Sequence, residues 1–480
     1  MSRSARRFVR TFVSLVGAEA ITRLMLLVSA IIVVRALAPA EFGEYAYAIA
    51  AASLAAFMVD LGLVSLVVRD MSADPEQTPF LLGAFMKAQA LMVAAMLAVG
   101  AALALTGVGT GPASRTAFFL GFGVYAASAL ARPFEATLTA GDRAHLVTVS
   151  RVVRGVVVVA ATAIAAAVSA SPESLLLAGI ASEVAGTIAV AALCLLRVVR
   201  PAVGGGMSRV TGLLKLAVPF ALLAGFNLLY ARIDLLMLGQ LSSESDLGDY
   251  GLASRVIETA ILVPAYFGAA YLATVAQTGP ATERGRKQTT SAVQTALILC
   301  LPLAFALALS AQSVVEAIGG SAYSGAGTLV VILSANIALV ASYSVLSNLQ
   351  VALDRLAVLV KINVAGVVAK AGLNAWVIPA YGAKGAAAAS VGAEGLVVVA
   401  QWLAVRRDVE LPRLVSVLLR VSLCALAMVL VGVLLLVAGV PWAVALVVAL
   451  SVFVAVAVWT GCLSAADMRV AFGSLRLSSS

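Results

Sequence analysis

Six basic side chains interrupt long apolar stretches of this chain: Arg23, Arg151, Arg154, Arg232, Arg255 and Lys370. Counted along a helix from the start of its run, Arg23 lies roughly 18 Å deep, and Arg151 and Arg154 roughly 12–16 Å. A charge held at the centre of a membrane-spanning helix costs about 2.5–3.5 kcal/mol on insertion scales. Burying this much positive charge makes sense where a water-filled cavity holds an anion. The guanidinium fork matches phosphate oxygens in particular. Arg151 and Arg154 are three apart and share a helix face, with no acid one turn away on their own helix. Asn363, Lys370 and Asn374, at spacings of seven and four, share another face. These eight residues are the candidate lining of a cationic substrate cavity.

The acids at comparable depth are Glu19, Asp60, Glu183 and Glu394, with Asp234 in the outer part of its run. They are candidates for ion coupling or for structural pairing. Glu19 precedes Arg23 by four residues, the favourable order for an intrahelical pair. Asp234 accompanies Arg232, and Glu258 accompanies Arg255. Glu183 and Glu394 can equally bond neighbouring helices. Arg35, Lys87, Arg115 and Arg132 fall near helix ends, where long basic side chains snorkel to the interface. His145 reads as a loop residue. Cys194, Cys300, Cys424 and Cys462 sit in separate apolar runs and read as small buried hydrophobes. No disulfide or metal spacing exists, and no phosphate-cradling nucleotide loop, so no cofactor is expected.

The elements that must carry these residues follow from composition. The chain is 62% hydrophobic and 11% charged, with a mean hydropathy of +1.07. A soluble protein of 480 residues would need far more charge to cover its surface. Apolar runs of about 18 residues or more, enough to cross a bilayer core, recur and predict about 14 transmembrane helices. Their starts lie near residues 11, 42, 80, 113, 145, 173, 212, 250, 289, 326, 356, 385, 412 and 441. The runs are continuous, not alternating, which excludes a β-barrel. The N-terminal run resembles a signal peptide but is too long and carries Glu19 and Arg23, so it reads as a retained helix. Lys and Arg cluster in alternate gaps: Arg3 to Arg10, Arg69, Arg143, Arg197 to Lys215, Arg284 to Lys287, Arg355 and Lys361, Arg406 to Arg413, and Arg469 with Arg476. The positive-inside rule makes that side cytoplasmic, with both termini inside, in a multi-pass protein of the cell (inner or plasma) membrane. The net charge of +9 suits anionic lipid headgroups, not nucleic acid.

The chain also repeats itself. Phe42-Gly43-Glu44-Tyr45 returns as Leu247-Gly248-Asp249-Tyr250, a shift of 205; Asp142-Arg143 returns as Asp354-Arg355, a shift of 212; and Ser182-Glu183 returns as Ala393-Glu394, a shift of 211. Six helices per half make the halves parallel repeats about an axis along the membrane normal. The expected domains are an N-lobe over 1–200 with helices one to six, a C-lobe over 201–410 with helices seven to twelve, and two additional helices with a short tail over 411–480. The join, Pro201-Ala-Val-Gly-Gly-Gly-Met207, is Pro/Gly-rich as a boundary should be. In a duplicated membrane protein the interface between halves is the expected substrate site.

Three stretches carry a family resemblance. Arg35-Ala-Leu-Ala-Pro-Ala-Glu-Phe-Gly-Glu-Tyr45, followed by Asp60-Leu-Gly-Leu and Arg69, resembles the first two helices of the polysaccharide (Wzx-type, oligosaccharidyl-lipid) flippases. Leu214-Lys-Leu-Ala-Val-Pro219, Tyr230-Ala-Arg-Ile-Asp234 and Gly248-Asp-Tyr-Gly-Leu-Ala-Ser-Arg255 resemble their seventh and eighth. Asn374-Ala-Trp-Val-Ile-Pro379-Ala-Tyr-Gly382-Ala-Lys-Gly385 resembles their eleventh-to-twelfth turn. The likeness spans about 10–460 and rests on order and spacing, not on one motif. It implies membership of the multidrug/oligosaccharidyl-lipid/polysaccharide exporter superfamily, whose fold is two six-helix lobes in a V around a central cavity. It also implies a lipid-linked glycan as substrate.

The leading functional expectation is therefore a non-enzymatic transporter. It would flip a polyprenyl-(pyro)phosphate-linked oligosaccharide from the cytoplasmic to the outer leaflet for surface polysaccharide synthesis, by alternating access. Its partners would be that lipid-linked glycan, membrane lipids and the polysaccharide polymerase or export machinery, and the protein would act as a monomer. A multidrug/cation antiporter of the same fold is the alternative, although its cavity should be acidic and aromatic, whereas aromatics here are 6%. A lipid II flippase is a closer alternative. A membrane glycosyltransferase or polymerase fits poorly, because the outer gaps are short and the single His faces the cytoplasm.

Overall fold

The second-last helix shows how this chain uses lipid as its solvent. Leu419, Leu423, Leu426, Leu430 and Leu434, spaced three and four apart, are exposed along one face. Val421, Cys424, Ala425 and Met428 are fully buried on the other. Apolar residues cover both faces, and size sorts them: small side chains turn inward, where helices approach closely, and leucines turn outward.

The computed structural model describes residues 21–60, 63–202, 207–406 and 411–460. Among the described residues every regular element is helical. The first is α1 over 21–36. It is followed by α2 (Pro39–Ala55), α3 (Phe57–Asp60), α4 (Leu63–Ala73), α5 (Thr78–Thr106), α6 (Arg115–Ala129), α7 (Arg132–Ala140), α8 (Ala144–Val168) and α9 (Pro172–Arg197). Then come α10 (Met207–Leu241), α11 (Glu244–Thr278), α12 (Glu283–Leu309), α13 (Ala311–Gly319), α14 (Ser324–Ala352), α15 (Leu356–Val405), α16 (Leu411–Val437) and α17 (Trp442–Trp459). Among the described residues, ten helical segments are long and apolar enough to cross a membrane.

One of those ten, α15, is 50 residues long, far beyond the need of one crossing. It reverses at Gly382, whose φ of 55° and ψ of −135° lie outside the range open to other residues. A Cβ on Gly385 would come within 2.7 Å of the Val377 carbonyl oxygen, and one on Gly392 within 3.8 Å of Leu373. Pairs 377/385 and 373/392 define an antiparallel hairpin of two limbs. Both limbs pack on α14.

The chain forms two compact units, Met1–Gly248 and Asp249–Ser480. The duplication assigns α10 to the second half, yet α10 makes its contacts with α2, α3 and α5 of the first unit. The Tyr47 hydroxyl on α2 ties it there, accepting from Gln240 Nε2 at 2.7 Å while donating to the Gly109 carbonyl at 2.9 Å. In unit 1, Phe118 and Phe122 are fully buried where α5 and α6 meet. In unit 2, α16 and α17 pack on α12 through Ala306, Val421, Met428, Ala449 and Phe453. The two helices outside the repeat are thereby anchored to it.

The repeat is visible in the backbone. Asp142 and Asp354 both adopt left-handed φ values, 56° and 61°. Arg143 N donates to the Leu138 carbonyl and Arg355 N to the Gln350 carbonyl, both at 2.8 Å. Each arginine then caps the C-terminal end of a neighbouring helix, Arg143 on the Arg197 carbonyl and Arg355 on the Ala404 carbonyl. Elsewhere in unit 1, Glu44 of the Phe-Gly-Glu-Tyr motif accepts from Ser114 N at 2.7 Å. An acid at the start of α6 complements the helix dipole.

Candidate functional site: a cationic cavity in the first unit

Two close approaches bring α1 onto α8. Gly155 leaves no room for a Cβ, which would fall 2.7 Å from Met25 Sδ. One turn of α1 further on, Ser29 and Thr162 share a hydrogen bond of 3.2 Å. With the helices so pinned, Arg23 on α1 comes to the same cavity as Arg151 and Arg154 on α8. A third helix fixes Arg154. Gly186 on α9 would place a Cβ 3.1 Å from Arg154 Cβ, so glycine is what lets this arginine lie across α9. Glu183, nearly one turn earlier on α9, accepts from Arg154 Nη1 at 3.2 Å. Ser128, at the end of α6, donates to the same carboxylate.

The cavity encloses about 290 Å³ and is lined by Thr22, Arg23, Leu26, Ser128, Ala131, Arg132, Glu135, Arg151 and Arg154. Four arginines converge here against two carboxylates, Glu135 in the lining and Glu183 beside Arg154. Arg154 Nε is buried without a hydrogen-bond partner. Arg23 is exposed and Arg132, Arg151 and Arg154 are half-buried; like charges this close repel more strongly than in bulk water, and an anion relieves the excess. The volume sits at the small end of ligand pockets, about 300–1,000 Å³. It suits the charged part of a larger amphiphile.

Arg132 was expected to snorkel at a helix end; instead it lines this cavity, and its Nη1 donates to the Val59 carbonyl at 3.1 Å. The span from 115 to 140 is broken at Leu130 and Ala131, so Arg132 starts a second helix in mid-span. The dipeptide Arg132-Pro133 is the sequence signal, because proline favours a helix's first turn and disfavours its interior. Glu135, three residues on, shares the face of Arg132 and went unrecognised for the same reason.

The remaining candidates lie elsewhere. Arg232 is half-buried and Asp234 buried on α10 of unit 1, outside the lining of the cavity. Arg255 is exposed on α11 of unit 2. Asn363, Lys370 and Asn374 lie on the first limb of α15 and Glu394 on the second, all in unit 2. Lys370, Asn374 and Glu394 are buried. Glu19 and the side chain of Asp60 lie outside the described residues. Among the described residues no group of His, Cys, Asp and Glu is placed to hold a metal ion.

With this geometry in place, comparison with known proteins assigns the chain. Residues 32–328, more than half of it, match the family described as polysaccharide biosynthesis protein. The chain belongs to that family. No curated protein matches it. Among solved structures, this family member is similar to the lipid II flippase MurJ in an inward closed conformation, with a TM-score of 0.74 at 13% identity over 93% of this chain and 98% of that one. It is also similar to an inward-facing multidrug resistance MATE transporter of the MOP superfamily, with a TM-score of 0.66 at 15% identity over 82% and 95% of the two chains. A third likeness is to a MOP superfamily transporter from Pyrococcus furiosus described by the reversed polarity of its binding pocket, with a TM-score of 0.53 at 13% identity over 82% and 93%. At these identities the likeness is one of fold. The protein is a multi-pass helical membrane protein with the fold of flippases and transporters, not of enzymes.

Proposed function

We propose that this protein flips a polyprenyl-(pyro)phosphate-linked oligosaccharide from the cytoplasmic to the outer leaflet of the cell membrane, supplying surface polysaccharide synthesis. The observation that carries this reading is the cavity in which Arg23, Arg132, Arg151 and Arg154 converge. Four guanidiniums offer forked donors to phosphate oxygens, and the volume admits a phosphate head but not a polyprenyl chain. The chain would stay in lipid while the head is sequestered. Membership of a polysaccharide biosynthesis family fits a glycan on that head. Fourteen helices in two parallel lobes with both termini cytoplasmic, a polymerase or export partner downstream, and monomeric action complete the proposal.

A multidrug antiporter of this fold would take cationic, lipophilic compounds, for which a cavity with a surplus of arginines is repulsive. The MurJ-like fold keeps lipid II as a second reading, since it too would present a phosphate-linked head. Both readings are tested by purifying the protein in mild detergent and identifying bound lipids by mass spectrometry. Wild type is expected to retain a polyprenyl-phosphate glycan, and Arg151→Ala/Arg154→Ala to lose it. Peptidoglycan sugars on the retained lipid would select the second reading. Bulk phospholipid alone in both proteins would sink the proposal.

A further inference from the structure

The hairpin of α15 buries two opposite charges that the cationic cavity does not use. Lys370 is 4% exposed and Glu394 is 7% exposed. The antiparallel pairs 377/385 and 373/392 set a register that brings residue 370 level with 394, and 374 level with 390. Around that level polar groups of the two limbs and α14 come together. Asn374 is wholly buried, one turn from Lys370. Asn336 Nδ2 on α14 donates to Ser390 Oγ at 3.4 Å. The Tyr343 hydroxyl on α14 donates to Asn363 Oδ1 at 3.4 Å and lies within electrostatic reach of Glu394.

Ionisable residues buried in a membrane-spanning hairpin are costly, and their retention marks function. A Lys and a Glu together are nearly neutral in sum, so the pair is tolerated. Adding one proton to the carboxylate ends that neutrality and leaves an uncompensated buried ammonium, the arrangement that costs most. Such a group has two stable answers to the arrival of a proton: release it, or rearrange so that water reaches Lys370. The left-handed hinge at Gly382, between the two charged limbs, is where a rearrangement can occur.

We infer that Lys370 and Glu394 form a proton-binding coupling site in the second unit, with Lys370 as the built-in counter-ion of the carboxylate. A proton enters from water on one side, binds a Glu394 carboxylate oxygen, and leaves to water on the other; no bond other than O–H is made or broken. Facing Glu394 are Lys370 from the opposite limb and Tyr343 from α14. Lys384 of its own limb is exposed near the hinge. Glu283, Arg284, Arg286 and Lys287 of α12 are exposed at that helix's start. On α11, which meets α14 at Gly268 and Gly325, Asp249 lies against Gly325 near the start of α14, and Arg255 and Glu258 lie at least ten positions from Gly268. What the proton drives rests on the flippase reading; that it binds here does not.

The test separates the two. Infrared difference spectra are recorded on protein reconstituted in liposomes as the pH is lowered. Flipping of a fluorescent polyprenyl-diphosphate-linked disaccharide is followed in the same vesicles with and without a pH gradient. Wild type should show a carboxyl protonation band that Glu394→Gln loses, and flipping that the gradient accelerates several-fold. Lys370→Met/Glu394→Met keeps the neutrality and bulk of the pair, so it should fold, lose the band and lose the acceleration. A band unchanged in Glu394→Gln would overturn the site. So would a double variant that keeps the full response to the gradient, because the pair would then be structural only. A Glu394-dependent band with no flipping in any protein would uphold the site and overturn the flippase reading.

Discussion

Glycine at position 186 decides where Arg154 can lie, and it allows a test that changes no charge. In Gly186→Leu every arginine and carboxylate of the cavity stays, but a branched side chain occupies the space against which Arg154 rests, 3.1 Å from its Cβ. Over-packing of this kind costs about 1–3 kcal/mol where neighbours cannot yield. Arg154 can yield by swinging away from Glu183, so the cost should appear in ligand affinity. Binding of a polyprenyl diphosphate, followed by native mass spectrometry, is expected to weaken about tenfold, the equivalent of about 1.4 kcal/mol. Unchanged affinity would mean that the position of Arg154 is irrelevant to the site. At this scale the sequence was informative where depth alone gives the role. Arg23, Arg151 and Arg154 stood out because each interrupts an apolar run, and the cavity contains all three. It was uninformative where position depends on a break: Arg132 and Glu135 belong to the same lining, but only the mid-span kink at Leu130 turns a helix end into a cavity wall. The partnership of Arg154 with Glu183, 29 residues away on another helix, also needed the packing of α8 on α9.

Among the elements, the hairpin of α15 depends most on one residue. Its limbs were legible as two apolar runs starting near 356 and 385, and the structure turns between them at Gly382. Pro379 and Gly382 announce an interruption in the sequence, but the φ of 55° and ψ of −135° at Gly382 arise only from the packing of one limb on the other. That conformation is essentially glycine's own, and a side chain there costs about 1–3 kcal/mol. Gly382→Ala should therefore lower the thermal stability of the detergent-solubilised protein, measured by loss of monodisperse material on heating. Gly372→Ala is the control, because a Cβ at that position meets nothing within 4 Å and the helix there is regular. Equal stability of the two variants would show that the turn is not held in this conformation. The break between α2 and α3 illustrates the opposite case. A single run was read from near 42, whereas α2 ends at Ala55 and α3 starts at Phe57, because an apolar run reports burial in lipid and not helical continuity.

For the whole molecule, the decisive question is whether the two halves enter the membrane from the same side. The sequence argued for it by count, since six helices separate each repeated motif from its copy. The two Asp-Arg turns mark equivalent positions at which it can be tested. Each closes with the same backbone hydrogen bonds and each places an arginine on the end of a neighbouring helix, so they are the same device used twice. A parallel duplication puts both devices on one side; an inverted duplication would put them on opposite sides. In the proposed topology the basic residues beside them, Arg143 and Arg355 with Lys361, face the cytoplasm, following the positive-inside rule. Thr139 and Val351 are equivalent positions 212 apart, both exposed and both next to these turns. Ser245, exposed at the start of α11, belongs to a gap without basic residues. In a background with the four cysteines replaced, Thr139→Cys and Val351→Cys should resist a membrane-impermeant maleimide in intact cells and react in inverted vesicles, while Ser245→Cys should do the reverse. Opposite behaviour of the first two would make the repeat inverted. A glycan head taken up on the basic side would then meet equivalent surfaces of the two halves presented to opposite leaflets, and the two parallel lobes proposed for this protein would have to be given up.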